Sequence, residues 1–166
     1  KARPVPVLGL DYAVVYGPHH KQASIDHSLR QLVINDSPPS QNASSDQIQV
    51  RAKRIERLLR PLALQTFTEL ANLLKLRTPL PAFSLHLSSA KSRWGSCNKN
   101  NQIRLNWRLV FYPRPIIEYV VAHELAHLLE MNRSPAFWGV VKQLKPDFQP
   151  AHQFLAGMHP EKVPIL

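Results

Sequence analysis

The sequence has 166 residues, 44% of them hydrophobic, with 21 Lys plus Arg against 11 Asp plus Glu and a formal net charge of +10. That is enough apolar chain for one core, so a single domain over residues 1–166 is expected. The one cysteine, Cys97, excludes an internal disulfide framework and any zinc site made of several thiolates, and no apolar run approaches the roughly 20 residues of a membrane helix.

Residues 5–15 read as a strand, and residues 23–25 with 29–34 supply one or two more, punctuated by Gly17-Pro18 and Asp36-Ser37-Pro38-Pro39. A small antiparallel sheet is expected in this N-terminal β region, residues 1–40. The opening KARPVPVLGLD lacks the apolar stretch of a secretory signal. With the lone cysteine, that predicts a soluble protein of a reducing compartment, the cytoplasm. His19 and His20 are adjacent in a polar turn and face different ways, so they read as surface residues rather than ligands.

A polar loop then ends in Ser44, with Gln47 three residues on, the pattern of a capping box that opens a helix. The predicted helix covers residues 45–76 and carries Ile48, Ala52, Ile55, Leu59, Leu62, Leu70, Leu73 and Leu74 toward a core. Pro61 cannot donate to the helical ladder and predicts a kink or break near Arg60. Between residues 51 and 108 stand twelve basic residues against Glu56 and Glu69, so this middle third holds the charge excess. A field of that sign attracts polyanions, nucleic acid first among them; the alternative is a solvated face that keeps the protein in solution.

Alternation at residues 83–87 and 103–107 predicts two strands, with Asn98, Lys99, Asn100 and Asn101 as the turn before the second. Pro113 and Pro115 open a second helix that runs to about residue 131. Ser134 and Pro135 cap a third, PAFWGVVKQLK, which Pro146 stops. Strands, helix, strands and two helices in that order make an α+β domain, its third segment spanning residues 82–166. The three tryptophans, Trp94, Trp107 and Trp138, read as core, with a substrate cleft as the other use for them.

The second helix contains His123, Glu124 and His127 as HELAH. Residues four apart on an α-helix lie within about 40° of each other, so both imidazoles can face one ion. Glu124 lies about 100° from His123, beside the ion, where it suits a general base for a water. Two histidines satisfied inside a buried helix are the plainer alternative, but the apolar flanks IIEYVVA and LLEM are those of a helix built around such a pair. Cys97 reads as a small buried hydrophobe, with an approach to the metal as its alternative.

RWGSC (residues 93–97), IRLNW (103–107), VVAHELAHLLEMN (120–132) and SPAFW (134–138) resemble, in that order, the YgjP-like metallopeptidases, a zincin group related to the SprT and WLM families. The resemblance covers about 80 residues from Ala90 onward. It implies a bacterial, cytoplasmic zincin-type hydrolase: small antiparallel sheets packed with a long N-terminal helix, an HExxH helix and a C-terminal helix. The implied cofactor is Zn2+ and the implied substrate a peptide or protein. In that family a third histidine follows between the Asn and Ser of the motif; here the position is Arg133. A guanidinium stays protonated and offers a cation no lone pair. The third ligand is then His152, Asp147, Glu130, water or a substrate group, or the site is degenerate and holds no metal. Two functions follow from the sequence. One is a zinc peptidase or amide hydrolase with His123 and His127 as ligands and Glu124 as base. The other is a nucleic-acid-associated module, or a pseudoenzyme, that uses the basic stretch 51–108.

Overall fold

The computed structural model describes residues 3–162. Strands β1 (Val5–Val7) and β2 (Leu10–Tyr16) are joined by Leu8 and Gly9, at φ 52° and 83°, so the single strand expected over residues 5–15 is a hairpin. Two successive left-handed residues turn the chain with the twist that antiparallel strands need. Gly9 is required twice over, since a Cβ there would also lie 2.8 Å from Pro113 Cγ. The turn is tied down by Leu8 N and Gly9 N, which donate to Val110 O at 2.7 Å and Phe111 O at 3.1 Å.

Strands β3 (Ser24–Asp26) and β4 (Gln31–Ile34) complete a four-stranded sheet in the order β1-β2-β4-β3. The expected antiparallel sheet is a mixed one, because β2 and β4 run parallel. Residues 17–30 between them are long enough to carry the chain back to the same end and to lay β3 antiparallel on the far edge.

Helix α1 (Ser45–Leu74) starts at the predicted capping box: Gln47 N donates to Ser44 Oγ, and Ser44 N donates to Gln47 Oε1. Pro61 does not break it. Pro61 is exposed, and both flanks are anchored by Ile55, Leu59, Ala63, Phe67, Leu70 and Leu74, all buried. Burial of a large side chain contributes roughly 1.5–3 kcal/mol, so two such residues on each side offset the roughly 3 kcal/mol cost of an interior proline. The apolar stripe also differs from the expected one at its ends, since Ile48 and Leu73 are exposed and Thr66 with Phe67 are buried instead.

Strands β5 (Ser84–Ser88), β6 (Gly95–Cys97) and β7 (Gln102–Asn106) form a second sheet in the order β5-β7-β6. It too is mixed rather than antiparallel, with β5 parallel and β6 antiparallel to the central β7. The turn at residues 98–101 joins β6 to β7, with Asn98 Oδ1 accepting from Asn100 N and Gln102 N. Trp107 leaves the strand and begins a 3-10 helix (Trp107–Phe111), capped by the Asn106 side chain.

Helix α2 (Arg114–Ala126) is buried without interruption from Tyr119 to Ala126 and packs against α1, β6, β7 and the two helices that follow. It stops five residues short of the expected end near residue 131. Its last N–H groups bond three residues back, His127 N to Glu124 O and Leu128 N to Leu125 O, which tightens the final turn and redirects the chain. Helix α3 (Pro135–Leu144) begins as predicted, with Phe137 N donating to Ser134 Oγ. A further helix, α4 (Gln149–Leu155), was not expected from the sequence and carries His152.

Candidate metal centre

The central helix brings the HELAH residues together. His123, Glu124 and His127 each present a ligand atom within 4.8 Å of the others. His123 and Glu124 are buried at 9% and 4% exposure, and His127, the C-cap of α2, is half-buried. The His127 Nδ1–H donates to Glu130 O at 3.1 Å. The His123 Nδ1–H donates to Glu124 Oε2 at 3.1 Å. In each ring this leaves the Nε2 lone pair for a cation. Phe137 of α3 stacks on His127 at 4.4 Å between ring centres and meets His123 edge-on at 5.0 Å, so both imidazoles are held in place.

Two imidazoles whose Nδ1 atoms are both engaged in hydrogen bonds, beside one buried carboxylate, fit a zinc ion in chemistry and spacing. Cys97 is half-buried outside this cluster, its thiol pushed up first by burial and then by the Glu124 charge. Asp147 is far exposed and accepts from Lys145 Nζ at 3.2 Å, and the cluster contains neither it nor the Glu130 side chain. His152 comes nearer. It lines the same cavity as His123 but stands outside the ligand cluster, its Nδ1 2.7 Å from the Tyr119 hydroxyl.

Strand β6 supplies the other wall. A Cβ on Gly95 would lie 2.8 Å from both Cγ and Oε2 of Glu124, so only glycine lets the carboxylate sit against the strand. The loop before β6 is held by Asn106, whose Nδ2 donates to Ala90 O at 2.8 Å and Arg93 O at 3.3 Å. Trp94 Nε1 donates to Met158 O at 3.1 Å and joins that loop to the chain after α4. Trp94 and Trp138 therefore line the site, Trp94 as a buried member of the core and Trp138 packed against it, while Trp107 lies wholly within the core.

The resulting cavity, about 330 Å³, is lined by His123, Glu124, Tyr119, Arg133, His152 and the two tryptophans, among others. Arg133, in the turn before α3, thus lines the cavity into which His123 opens. Tyr119 is pushed up to about 12, by burial first, with the Arg133 charge opposing and the Glu124 charge adding to the rise. The phenol keeps its proton at neutral pH. When it donates to His152 Nδ1, the neutral His152 ring carries its own proton on Nε2. Tyr119, Gly95 and Asn106 were not singled out from the sequence. The available signals were a glycine inside a strand pattern and an asparagine ending an apolar alternation, both marks of a close approach or a local backbone bond.

A family model described as the YgjP-like metallopeptidase domain matches residues 2–157. No curated protein matches the sequence. Among solved structures, the chain is similar to the metallopeptidase zymogen abylysin of Pyrococcus abyssi, at 18% identity and a TM-score of 0.45, over 58% of this chain and 94% of that one. It is also similar to the metallopeptidase zymogen jannalysin of Methanocaldococcus jannaschii, at 16% identity and a TM-score of 0.47, over 54% of this chain and 93% of that one.

Proposed function

The chain belongs to the YgjP-like metallopeptidase family, and from that premise we propose that His123 and His127 hold a zinc ion through Nε2 while Glu124 is the general base that cuts an amide bond. The observation that carries this reading is the grouping of both imidazoles with the Glu124 carboxylate, each Nδ1 already committed to a hydrogen bond. When bound, zinc would polarise the scissile carbonyl and acidify water.

The chain's own residues account for the proton. Glu124 accepts a hydrogen bond on Oε2 from His123, which leaves Oε1 to meet a water and take its proton. The water oxygen bonds to the carbonyl carbon, the C–N bond breaks, and Oε1 returns the proton to the departing amine. His152, oriented by Tyr119, is the donor we assign to the oxygen of the reacting carbonyl. Glu124 is buried, and the aromatic wall of Trp94 and Trp138 beside it shields its carboxylate from bulk solvent. Glu124→Gln should keep the zinc, measured by elemental analysis, and lose hydrolysis by about 10²- to 10⁴-fold. Undiminished turnover would remove Glu124 from the mechanism.

The substrate is a peptide or protein, and the whole chain acts as one catalytic unit in a reducing compartment, the cytoplasm, which suits its free thiol. Nucleic acid as a second partner is supported by the charge of residues 51–108 alone. Several of those cations already have partners: Arg54 pairs with Asp36, Arg60 with Glu56, and Arg51 donates to the Tyr16 hydroxyl at 3.0 Å. Duplex binding that weakens steeply with salt would support that role, and no binding at low salt would end it.

A further inference from the structure

Two arginines on different elements line the cavity beside Glu124, Arg93 from the loop before β6 and Arg133 from the turn before α3; both are exposed, and the Arg133 charge is felt at Tyr119 inside the cavity. Among the described residues neither makes an ion pair, whereas Arg54, Arg60 and Arg77 all do. Among the described residues the only carboxylate lining the cavity is Glu124, and His123 engages it. Two arginines beside a space whose one carboxylate is already engaged by His123 repel each other and attract a further negative group. Between them the wall is apolar, with Trp94, Trp138, Leu155 and Met158.

The size of the cavity narrows the choice of anion. About 330 Å³ is the scale of a small ligand, enough for one or two amino-acid residues and too little for a folded segment. A planar guanidinium recognises a carboxylate through two parallel N–H donors, which a carboxamide cannot match in charge. We propose that Arg133, assisted by Arg93, binds the C-terminal carboxylate of a peptide whose last side chain is apolar, so that the enzyme removes residues from peptide C-termini. This rests on the hydrolase reading above for the chemistry, but the recognition it describes can be tested without turnover. It also gives Arg133 a role at a position where it cannot serve the metal.

The test uses one pair of probes, acetyl-Ala-Leu-Leu with a free C-terminus and the same peptide as its C-terminal amide. Binding is measured by calorimetry on zinc-loaded Glu124→Gln, and cleavage by mass spectrometry on the unmodified sequence. The free acid should bind roughly tenfold or more tightly than the amide, as a charge-assisted bidentate pair implies. Adding Arg133→Ala should bring the acid down to the amide's affinity, and Arg133→Lys should recover part of the preference. In the active protein Arg133→Ala should raise KM for the acid, and Arg93→Ala should do so less. Equal affinity for acid and amide would overturn the proposal, as would a preference that survives Arg133→Ala. Cleavage of both probes with equal KM would sink the carboxylate site and leave the hydrolase reading standing. An Arg133-dependent preference without any cleavage would do the reverse.

Discussion

The sharpest test of the site's geometry is Gly95→Ala. A methyl group there would lie 2.8 Å from Glu124 Cγ and Oε2 and 3.0 Å from Cδ, against about 3.4 Å for ordinary contact. Gly95 stands in β6, and its φ is outside the left-handed range, so alanine brings no backbone strain and the whole effect falls on Glu124. The carboxylate has to retreat by roughly 0.6 Å or rotate, and Oε2 then leaves the 3.1 Å bond from His123 Nδ1. Misplacing a reacting group by about 1 Å can cost on the order of 10²-fold, so kcat should fall roughly 10- to 100-fold. The fold should hold, because only one side chain end must move. Hydrolysis of a peptide substrate, with a thermal melt of the same preparation, gives both readouts. Turnover equal to that of the unmodified protein would mean that Glu124 does not act from the position described. A collapsed melting temperature would mean that β6 rather than the carboxylate absorbs the clash.

Three other outcomes are expected. Arg133→His replaces a cation in the cavity that His123 lines with a metal-binding donor, so zinc affinity should rise at least 10- to 100-fold and zinc should raise the melting temperature more than in the unmodified protein; equal zinc affinity by calorimetry would mean that another group already completes the site. Ser44→Ala removes the acceptor for Gln47 N and one half of the capping box, and urea unfolding should show a loss of about 1 kcal/mol; an unchanged midpoint would show that the exposed first turn of α1 contributes nothing. Asp147 is held below its ordinary 3.8 first by the Lys145 hydrogen bond and then by the Lys145 charge, so its contribution is complete above that value and is lost as pH falls through the lower folded pKa. Asp147→Asn should therefore flatten the acid side of a melting profile taken from about pH 6 to about pH 2, and identical slopes would remove Asp147 from the acid response.

What was legible in the sequence is what depends on neighbours along the chain. The capping box at Ser44 and Gln47, the start of α3 at Ser134 and the shared helical face of His123 and His127 all involve residues three or four apart, where helix geometry leaves little freedom. Family motifs added the enzyme class because they sit on those same local elements. Tertiary packing decided the rest. Pro61 stays helical because α1 is clamped on both sides of it, and β2 pairs parallel to β4 because a crossover fits between them. The Glu124 carboxylate is set against Gly95 by a loop that Asn106 pins, and His152 arrives on a short helix from the far end of the chain to meet Tyr119. Those contacts join residues 13 to 33 positions apart or more, and at that separation no periodicity links the partners; only the packing of the sheet, α2 and α4 around one core brings them within reach.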